Sequence, residues 1–473
     1  MSSPARGSFN ALEEQPLHSM GADGKDRHSA DSRAVYLIFT LLGICLLSPW
    51  NVIINNFSYF QSLYPDSQPL KEALPFYMVA ASSYPGLPLF FLMLAYGNLV
   101  SPRVRIVAGC LMQALALGLL PLLSPLSPWV PILLTSSTGM ATAILQSSMM
   151  GLSSQFPPVY SSGFMMGQGV AGIMASLGQI LVLVLQSAGV TGSGPTYTYF
   201  AVAAAILVAG AGATLQLYTL PMAHAYLKAA EEEGGSTAAA GGGRLRRRRS
   251  SPGEEYEEEG GEGEPAAPKD GGAGSSPEEF RGLLEGERRG GGGGGKQQQG
   301  GGALTLKALR TVLCKMWGEL LSVFLVFFVT FLLFPGVAIV KTVYRGELGS
   351  GSAYLGSGGW WGVVLLAVFN VFDTVGRFLP AYPNLVPVSR AGLLPATLAR
   401  FVFVPLLVGC VKGWPGMGDI TTLFAMMFFA MTNGCFASRE FAWQLPAGCI
   451  HPLRIPQSTQ THTHTHTHTH THT

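Results

Sequence analysis

An aspartate and an arginine stand four residues apart inside an otherwise apolar segment. Asp373 and Arg377 belong to the stretch Phe-Asn-Val-Phe-Asp-Thr-Val-Gly-Arg over residues 369–377. A spacing of four puts both side chains on one face of a helix, one turn apart. A charge inside a bilayer costs several kcal/mol unless it is paired or faces a water-filled cavity. The stretch therefore predicts a polar pathway through a bundle of apolar helices.

The composition is that of a membrane protein. Of the 473 residues, 48% are hydrophobic and only 12% are charged, whereas soluble domains carry about 25% charged residues. The formal net charge is only +2, so no nucleic-acid partner is expected. The six cysteines form no CxxC pair or metal-ligand pattern, and no ATP-binding loop is present. We expect neither a metal nor a cofactor, and no enzyme activity.

Ten segments are apolar and long enough to span a bilayer, which takes about 20 residues. Six precede a long polar interruption and four follow it. The segments are 34–55, 75–98, 104–123, 129–150, 163–188, 198–220, 317–341, 359–382, 391–413 and 419–438. The predicted fold is an all-α polytopic bundle with a 6 + 4 layout, and two-halved layouts are common among carriers.

The polar segments divide the chain further. Residues 1–33 are predicted to form a disordered arm, and residues 221–308, rich in Gly, Glu, Arg and Ser, a disordered loop. The transmembrane parts are then 34–220 and 309–440. The distribution of Lys and Arg places the N-terminus and the loop in the cytosol. The localisation is integral and multi-pass, in the plasma membrane or an endomembrane, with the lipid bilayer as a partner.

Two polar features invite an interpretation of their own. In the loop, four arginines precede Ser250 and Ser251, so a kinase site is one interpretation and a solvated charged linker the other. Residues 441–473 end in alternating Thr and His from Thr461 onward. A CA dinucleotide repeat encodes this alternation, and we interpret the tail as a gene-model artefact rather than as a metal site.

The glycines of residues 167–172 match a dinucleotide-binding signature by spacing alone. Gly167, Gly169 and Gly172 open an apolar helix that no strand precedes, so the signature does not apply. Small residues four apart favour close helix packing in membranes. We therefore predict a packing role for the three glycines.

Several separate motifs, in order along the chain, resemble the equilibrative nucleoside transporter family. They are Leu-Leu-Ser-Pro-Trp-Asn at 46–51, Ala-Ile-Leu-Gln at 143–146, Gly-Gln-Gly-Val-Ala-Gly at 167–172, Phe-Pro at 334–335, the 369–377 stretch, Arg-Phe-Val-Phe-Val-Pro at 400–405 and Thr-Asn-Gly at 432–434. The resemblance implies a fold like that of the major facilitator carriers and alternating access around a midplane site. The family has eleven spans, of which ten are recognisable in this sequence.

The resemblance also implies a substrate site. Within the family, the residues matching Trp50, Gln146, Asp373 and Arg377 line the central site, while Asn51 and Asn370 match motif residues near it. A flat base suits an aromatic wall and an amide, and a ribose suits charged hydrogen-bonding groups. Each residue also has a structural alternative: an interface anchor for Trp50, an interhelical hydrogen bond for Gln146, and a purely structural ion pair for the charges.

The predicted function is transport of nucleosides, with nucleobases as a second substrate class. The sequence leaves open facilitated diffusion or proton coupling. Burial would favour the protonated form of Asp373, whereas the neighbouring Arg377 would favour its carboxylate form. The alternatives are a non-transporting or truncated inactive paralogue, and a carrier of another small polar or cationic solute. Arg400, inside the ninth segment, is expected to have a structural role with a backbone or carboxylate partner.

Overall fold

Every regular element that the computed structural model describes is a helix. The described residues are 22–65, 68–230, 317–340, 342–348, 355–356, 359–381 and 390–444. Their α-helices are α1 Ala22–Asn55, α2 Phe57–Ser62, α3 Gln68–Ser83, α4 Gly86–Tyr96, α5 Pro102–Leu123, α6 Trp129–Ser153, α7 Pro158–Ser187, α8 Gly194–Leu217, α9 at 221–230, α10 Trp317–Leu333, α11 Trp360–Phe378, α12 Arg390–Ala399, α13 Phe403–Lys412 and α14 Asp419–Gln444. The protein is an all-α polytopic membrane protein, as the composition predicts.

Among the described residues, nine helical stretches are long and apolar enough to cross a membrane. The predicted span at 129–150 is a helix, α6, but it is not one of these nine. Its middle is rich in Thr and Ser, which lowers its hydropathy. Several of the hydroxyls are nevertheless satisfied within the helix: Thr138 donates to the Thr135 carbonyl, Thr142 to Thr138, and Ser148 to Ile144, whereas the buried Thr135 Oγ1 has no hydrogen-bond partner in the described chain. Self-satisfied hydroxyls make α6 compatible with a buried place in a membrane bundle.

Proline breaks two spans that the sequence predicts as continuous. The segment 75–98 becomes α3 and α4, which are separated at Tyr84 and Pro85. The segment 317–341 becomes α10 and a π-helical turn, Gly336–Val340, in which two amides donate to the Pro335 carbonyl. The breaks follow because proline lacks an amide hydrogen and its ring clashes with the preceding turn. The segment 391–413 also changes helical form, through a 3₁₀ turn at Arg400–Val402 between α12 and α13.

Helical structure extends beyond three of the predicted boundaries. Helix α1 begins at Ala22, where the sequence suggests a disordered arm to residue 33. Helix α9 occupies 221–230, the start of the predicted disordered loop, and its Tyr226 ring packs 5.6 Å from Phe156. Helix α14 continues to Gln444, four residues into the predicted tail. Residues 231–316, with Ser250 and Ser251, and the Thr-His repeat lie outside the described residues.

Helices α1 and α7 approach each other backbone to backbone. A methyl group added at Gly43 would overlap the Phe164 carbonyl oxygen, and one added at Gly167 would overlap the Thr40 carbonyl oxygen. Only glycine allows so close an approach, because any Cβ would have to displace main chain. The contact places Gln168, which follows Gly167 on α7, close to the middle of α1.

Candidate intramembrane polar site

Asp373 and Arg377 form the ion pair that their spacing predicts. Arg377 Nε donates to Asp373 Oδ2 at 2.9 Å, one turn apart on α11. Only 12% of the Arg377 side chain and 10% of the Asp373 side chain are exposed. At this degree of burial each charge needs its partner, because removing one would leave the other unpaired in a low-dielectric interior.

The second carboxylate oxygen of Asp373 is held from another helix. Asn433 Nδ2, on α14, donates to Asp373 Oδ1 at 2.8 Å. The approach depends on two glycines: a methyl group at Gly434 would overlap the Asp373 carbonyl oxygen, and one at Gly376 would overlap that of Met431. Close packing of α11 against α14 therefore sets the position of the carboxylate.

Arg400 lies behind Asn433 and is 2% exposed. Its Nη1 donates to the Val326 carbonyl at 2.9 Å, and its Nη2 lies 3.1 Å from Thr330 Oγ1 and 3.4 Å from Asn433 Oδ1. Its guanidinium also lies 5.1 Å from the centre of the Phe429 ring, a favourable cation–π position. As expected, its partners include backbone, and a hydrogen-bonded chain runs from Arg400 through Asn433 to Asp373.

At its other end the polar chain reaches the first half of the molecule. Arg377 Nη1 donates to Gln168 Oε1, on α7, at 3.3 Å. Because arginine is only a donor, this bond assigns the amide oxygen to the Arg377 side and Nε2 to the other. Gln168 Nε2 is buried and has no hydrogen-bond partner among the described residues. Gln168 therefore bridges the halves, and neither of the two N–H donors on its amide nitrogen is used within the described chain.

Small residues allow α7 and α11 to meet. A Cβ at Gly169 would lie 2.8 Å from the Thr374 side chain, and one at Gly172 would lie 2.7 Å from Asn370 Oδ1. Asn370 Nδ2 donates to the Gly172 carbonyl at 3.1 Å and to Ser176 Oγ at 2.8 Å. The Asn370 amide hydrogens are thus used in the contact between the two halves.

An aromatic cluster borders the polar chain. The rings of Phe334 and Phe369 stack with their centres 3.8 Å apart, and Phe369 lies one turn before Asp373 on α11. Phe429 packs 6.0 Å from Phe369 and 5.4 Å from Phe403. Apolar rings on this side exclude water from the Arg400 end, which strengthens the electrostatic interactions there.

The remaining predicted site residues lie on the first half. Trp50 is half-buried on α1, and Asn51 donates to the Leu47 carbonyl of its own helix at 3.0 Å. Gln146 is half-buried on α6, with Nε2 3.8 Å from Met150 Sδ. In the part of the chain that the structure describes, no hydrogen bond joins these three residues to Asp373 or Arg377. The structure joins the two charges directly, whereas the described hydrogen bonds of Asn51 and Gln146 stay within their own helices.

Four members of the polar chain are not among the predicted site residues: Gln168, Thr330, Arg400 and Asn433. Gln168 and Asn433 stand inside the motifs at 167–172 and 432–434, and a buried amide next to a packing glycine is the signal that they share. Each has its partner on another helix, so no sequence spacing reveals it. Within the described ranges, no cluster of three His, Cys, Asp or Glu side chains could hold a metal ion.

Comparisons with known proteins agree with this architecture. The family model described as "Nucleoside transporter" matches residues 132–444. The chain is 24% identical over 421 residues to "Equilibrative nucleotide transporter 1" of Arabidopsis thaliana, an alignment covering 85% of this chain and 76% of that protein. It is 30% identical over 142 residues to "Equilibrative nucleoside transporter 4" of Homo sapiens, covering 29% of this chain and 24% of that one.

Among solved structures, the chain is similar to the proton:xylose symporter XylE of the major facilitator superfamily. The TM-score is 0.50 at 12% sequence identity, over 87% of this chain and 82% of that chain. At this identity the likeness concerns the fold, and it agrees with the two-halved helical layout.

Proposed function

Because the chain belongs to the nucleoside transporter family, we propose that it carries nucleosides across a membrane by alternating access. Nucleobases are the second substrate class that the same site would accept. The relatives named above are transporters of nucleosides or nucleotides by their descriptions. Energy then comes from the substrate gradient or from a coupled ion.

The buried carboxylate of Asp373 carries the proposal. Each of its oxygens already accepts one hydrogen bond, from Arg377 and from Asn433, and a carboxylate has about four acceptor positions. Two positions therefore remain for hydroxyl donors, which a ribose supplies as a neighbouring pair. In this proposal Asp373 binds the sugar hydroxyls and Arg377 orients the carboxylate or donates to the sugar.

The base end of the site is proposed on the first half. Trp50 would supply the aromatic wall, and Gln146 an amide that offers both donors and acceptors to the base edge. Asn51 and Asn370 complete the proposed set, the latter from its place between α7 and α11. A substrate held at one end by α11 and at the other by α1 and α6 touches both halves, as alternating access requires.

Facilitated diffusion is the coupling mode that the hydrogen bonds favour. Asp373 receives its hydrogen bonds from an arginine Nε and an amide Nδ2. Neither nitrogen can accept a hydrogen bond, so both contacts suit the carboxylate form. Uptake of labelled adenosine into vesicles, with and without an inward pH gradient and a protonophore, tests this. Uptake that follows the proton gradient would contradict facilitated diffusion and support symport.

The transport function is tested by replacing the proposed sugar-binding group. We expect Asp373→Asn to lower uptake of labelled uridine at least about tenfold, because one charge-assisted bond to the substrate is lost. Glu347→Gln, which changes an exposed carboxylate, is the matched control and should keep wild-type uptake. Surface levels are measured for both. Equal uptake by Asp373→Asn and wild type would contradict the proposed role.

Orientation, compartment and regulation remain proposals from the sequence. Positive residues place the N-terminus in the cytosol, and tag accessibility in intact cells measures this. The membrane is proposed to be the plasma membrane or an endomembrane. The kinase site at Ser250 and Ser251 is likewise proposed from the basic residues before it.

A further inference from the structure

We propose that Arg400, Thr330 and Asn433 form a positioning chain that sets how strongly the site selects for sugar hydroxyls. The inference rests on the proposed function, because Asp373 is the group proposed to bind the sugar. Arg400 and Thr330 touch no substrate in this proposal. They act through the orientation of Asn433, and Asn433 acts through Asp373.

The first step is the burial of Arg400. A guanidinium that is 2% exposed in a membrane segment is costly unless its donors are used. Its two terminal nitrogens donate to carbonyls of Val326 and Phe429, to Thr330 Oγ1 and to Asn433 Oδ1, while Nε has no partner in the described chain. The charge is thus directed at Asn433 as well as at the backbone.

The second step is the orientation of the Asn433 amide. Its Oδ1 lies 3.4 Å from Arg400 Nη2 and 2.7 Å from Thr330 Oγ1. The Thr330 hydroxyl is also 2.7 Å from the Val326 carbonyl, and with one proton it donates to one of the two at a time. Arginine can only donate, so the oxygen of Asn433 must face Arg400. Its Nδ2 is left to face Asp373.

The third step is the carboxylate itself. Asp373 Oδ1 accepts from Asn433 Nδ2 at 2.8 Å, while Arg377 holds Oδ2 from the same helix. Held at one oxygen only, the carboxylate would be free to rotate about the Arg377 contact. Held at both, it presents its remaining acceptor positions in one direction. A site built to bind a hydroxyl rejects an analogue without it strongly, because the acceptor is left unpaired.

Loss of this positioning chain should therefore change the selectivity of the site for sugar hydroxyls more than its overall affinity. The measurement is the ratio of the inhibition constants of uridine and of 2′,3′-dideoxyuridine against uptake of labelled adenosine, which expresses the preference for the sugar hydroxyls. In Asn433→Leu, which removes the amide, the preference for uridine should fall about tenfold. The constant for the dideoxy analogue, which lacks both hydroxyls, should stay within about twofold of wild type.

Two more conservative variants at Thr330 test the same chain in case Asn433→Leu fails to fold. Thr330→Val removes the hydroxyl that faces Asn433 and keeps the side-chain shape, so the preference should fall about threefold, and Thr330→Ser should restore it. The matched control is Thr142→Val, since Thr142 accepts from the amide of Gln113 in the other half. This control should leave the ratio unchanged. If Asn433→Leu does not reach the membrane, the Thr330 pair decides.

Two results would overturn the inference. An unchanged ratio in Thr330→Val or in surface-expressed Asn433→Leu would show that the chain does not position Asp373. Equal weakening of uridine and its dideoxy analogue would show a structural role only. The wild type separates the two proposals: uptake with an unaltered variant ratio contradicts this inference alone, whereas absence of wild-type nucleoside uptake contradicts the proposed function and this inference with it.

Discussion

Arg377 joins two helices with one side chain. Its Nε holds Asp373 on α11 and its Nη1 holds Gln168 on α7, so the planar guanidinium serves two acceptors in fixed directions at once. A lysine ammonium has the same charge but only one nitrogen, on a flexible stem. The geometry of the donor, rather than the charge alone, therefore matters at this position.

Arg377→Lys separates these two properties. We expect the KM for uridine to rise about tenfold, because either the Asp373 bond or the Gln168 bond is lost. Surface expression should stay near wild type, because a cation still compensates Asp373. Arg103→Lys, outside the polar chain on α5, is the control and should leave KM unaltered. A wild-type KM in Arg377→Lys would show that charge alone suffices.

At the scale of the helices, glycine contacts decide what can meet. The contact of α11 with α14 depends on Gly376 and Gly434, whose added methyl groups would overlap main-chain carbonyls. Main chain in a helix cannot move aside as a flexible side chain can. The helices would separate, and Asn433 would be drawn away from Asp373.

Gly434→Ala tests this contact by stability and by function together. We expect a loss of about 1–3 kcal/mol from overpacking, seen as a lower thermal midpoint in detergent, and reduced uridine uptake per surface copy. Gly118→Ala is the matched control, since nothing lies within 4 Å of its added Cβ. It should be neutral or stabilising by up to about 1 kcal/mol. Similar midpoints for the two variants would contradict the packing account.

Helix positions could be predicted from hydropathy more completely than helix interruptions or contacts. The ion pair follows from the sequence because both partners lie one turn apart on one helix. Gln168 and Asn433 meet Arg377 and Asp373 from distant parts of the chain, and only packing brings them together. The start of α1 at Ala22 was missed because residues 22–33 are polar, and helix α9 because its ten residues are too few to span a bilayer and adjoin the polar interruption.

At the scale of the whole molecule, the contact of α7 with α11 joins the two halves through polar groups. Gly169 and Thr374 touch there, Asn370 donates to the backbone of α7, and Gln168 accepts from Arg377. Alternating access requires such contacts to open and close in each cycle. A typical hydrogen bond contributes about 0.5–1.5 kcal/mol net, so contacts of this kind can be exchanged for contacts with a substrate.

A reversible cross-link between the halves tests that requirement. An added Cβ at Gly169 lies 3.1 Å from Thr374 Cβ. This separation is within about half an ångström of the shortest Cβ–Cβ distances found in disulfides. We expect oxidised Gly169→Cys/Thr374→Cys to lose uptake and reductant to restore it. The control pair Thr40→Cys/Gly163→Cys lies within the first half and should keep uptake when oxidised. Full uptake by the oxidised first pair would contradict separation of α7 from α11.

Arg400 has a consequence for how the chain is made. Val326 and Thr330 leave the ribosome before Arg400, whereas Phe429 and Asn433 follow it. When Arg400 reaches the translocon, only the partners that precede it in the chain, Val326 and Thr330, are available to its guanidinium group. Two of its four partners are absent until α14 arrives, so the buried charge is less well compensated before that helix inserts. We therefore expect the yield of mature protein to depend on the insertion of α14, however well the earlier helices insert.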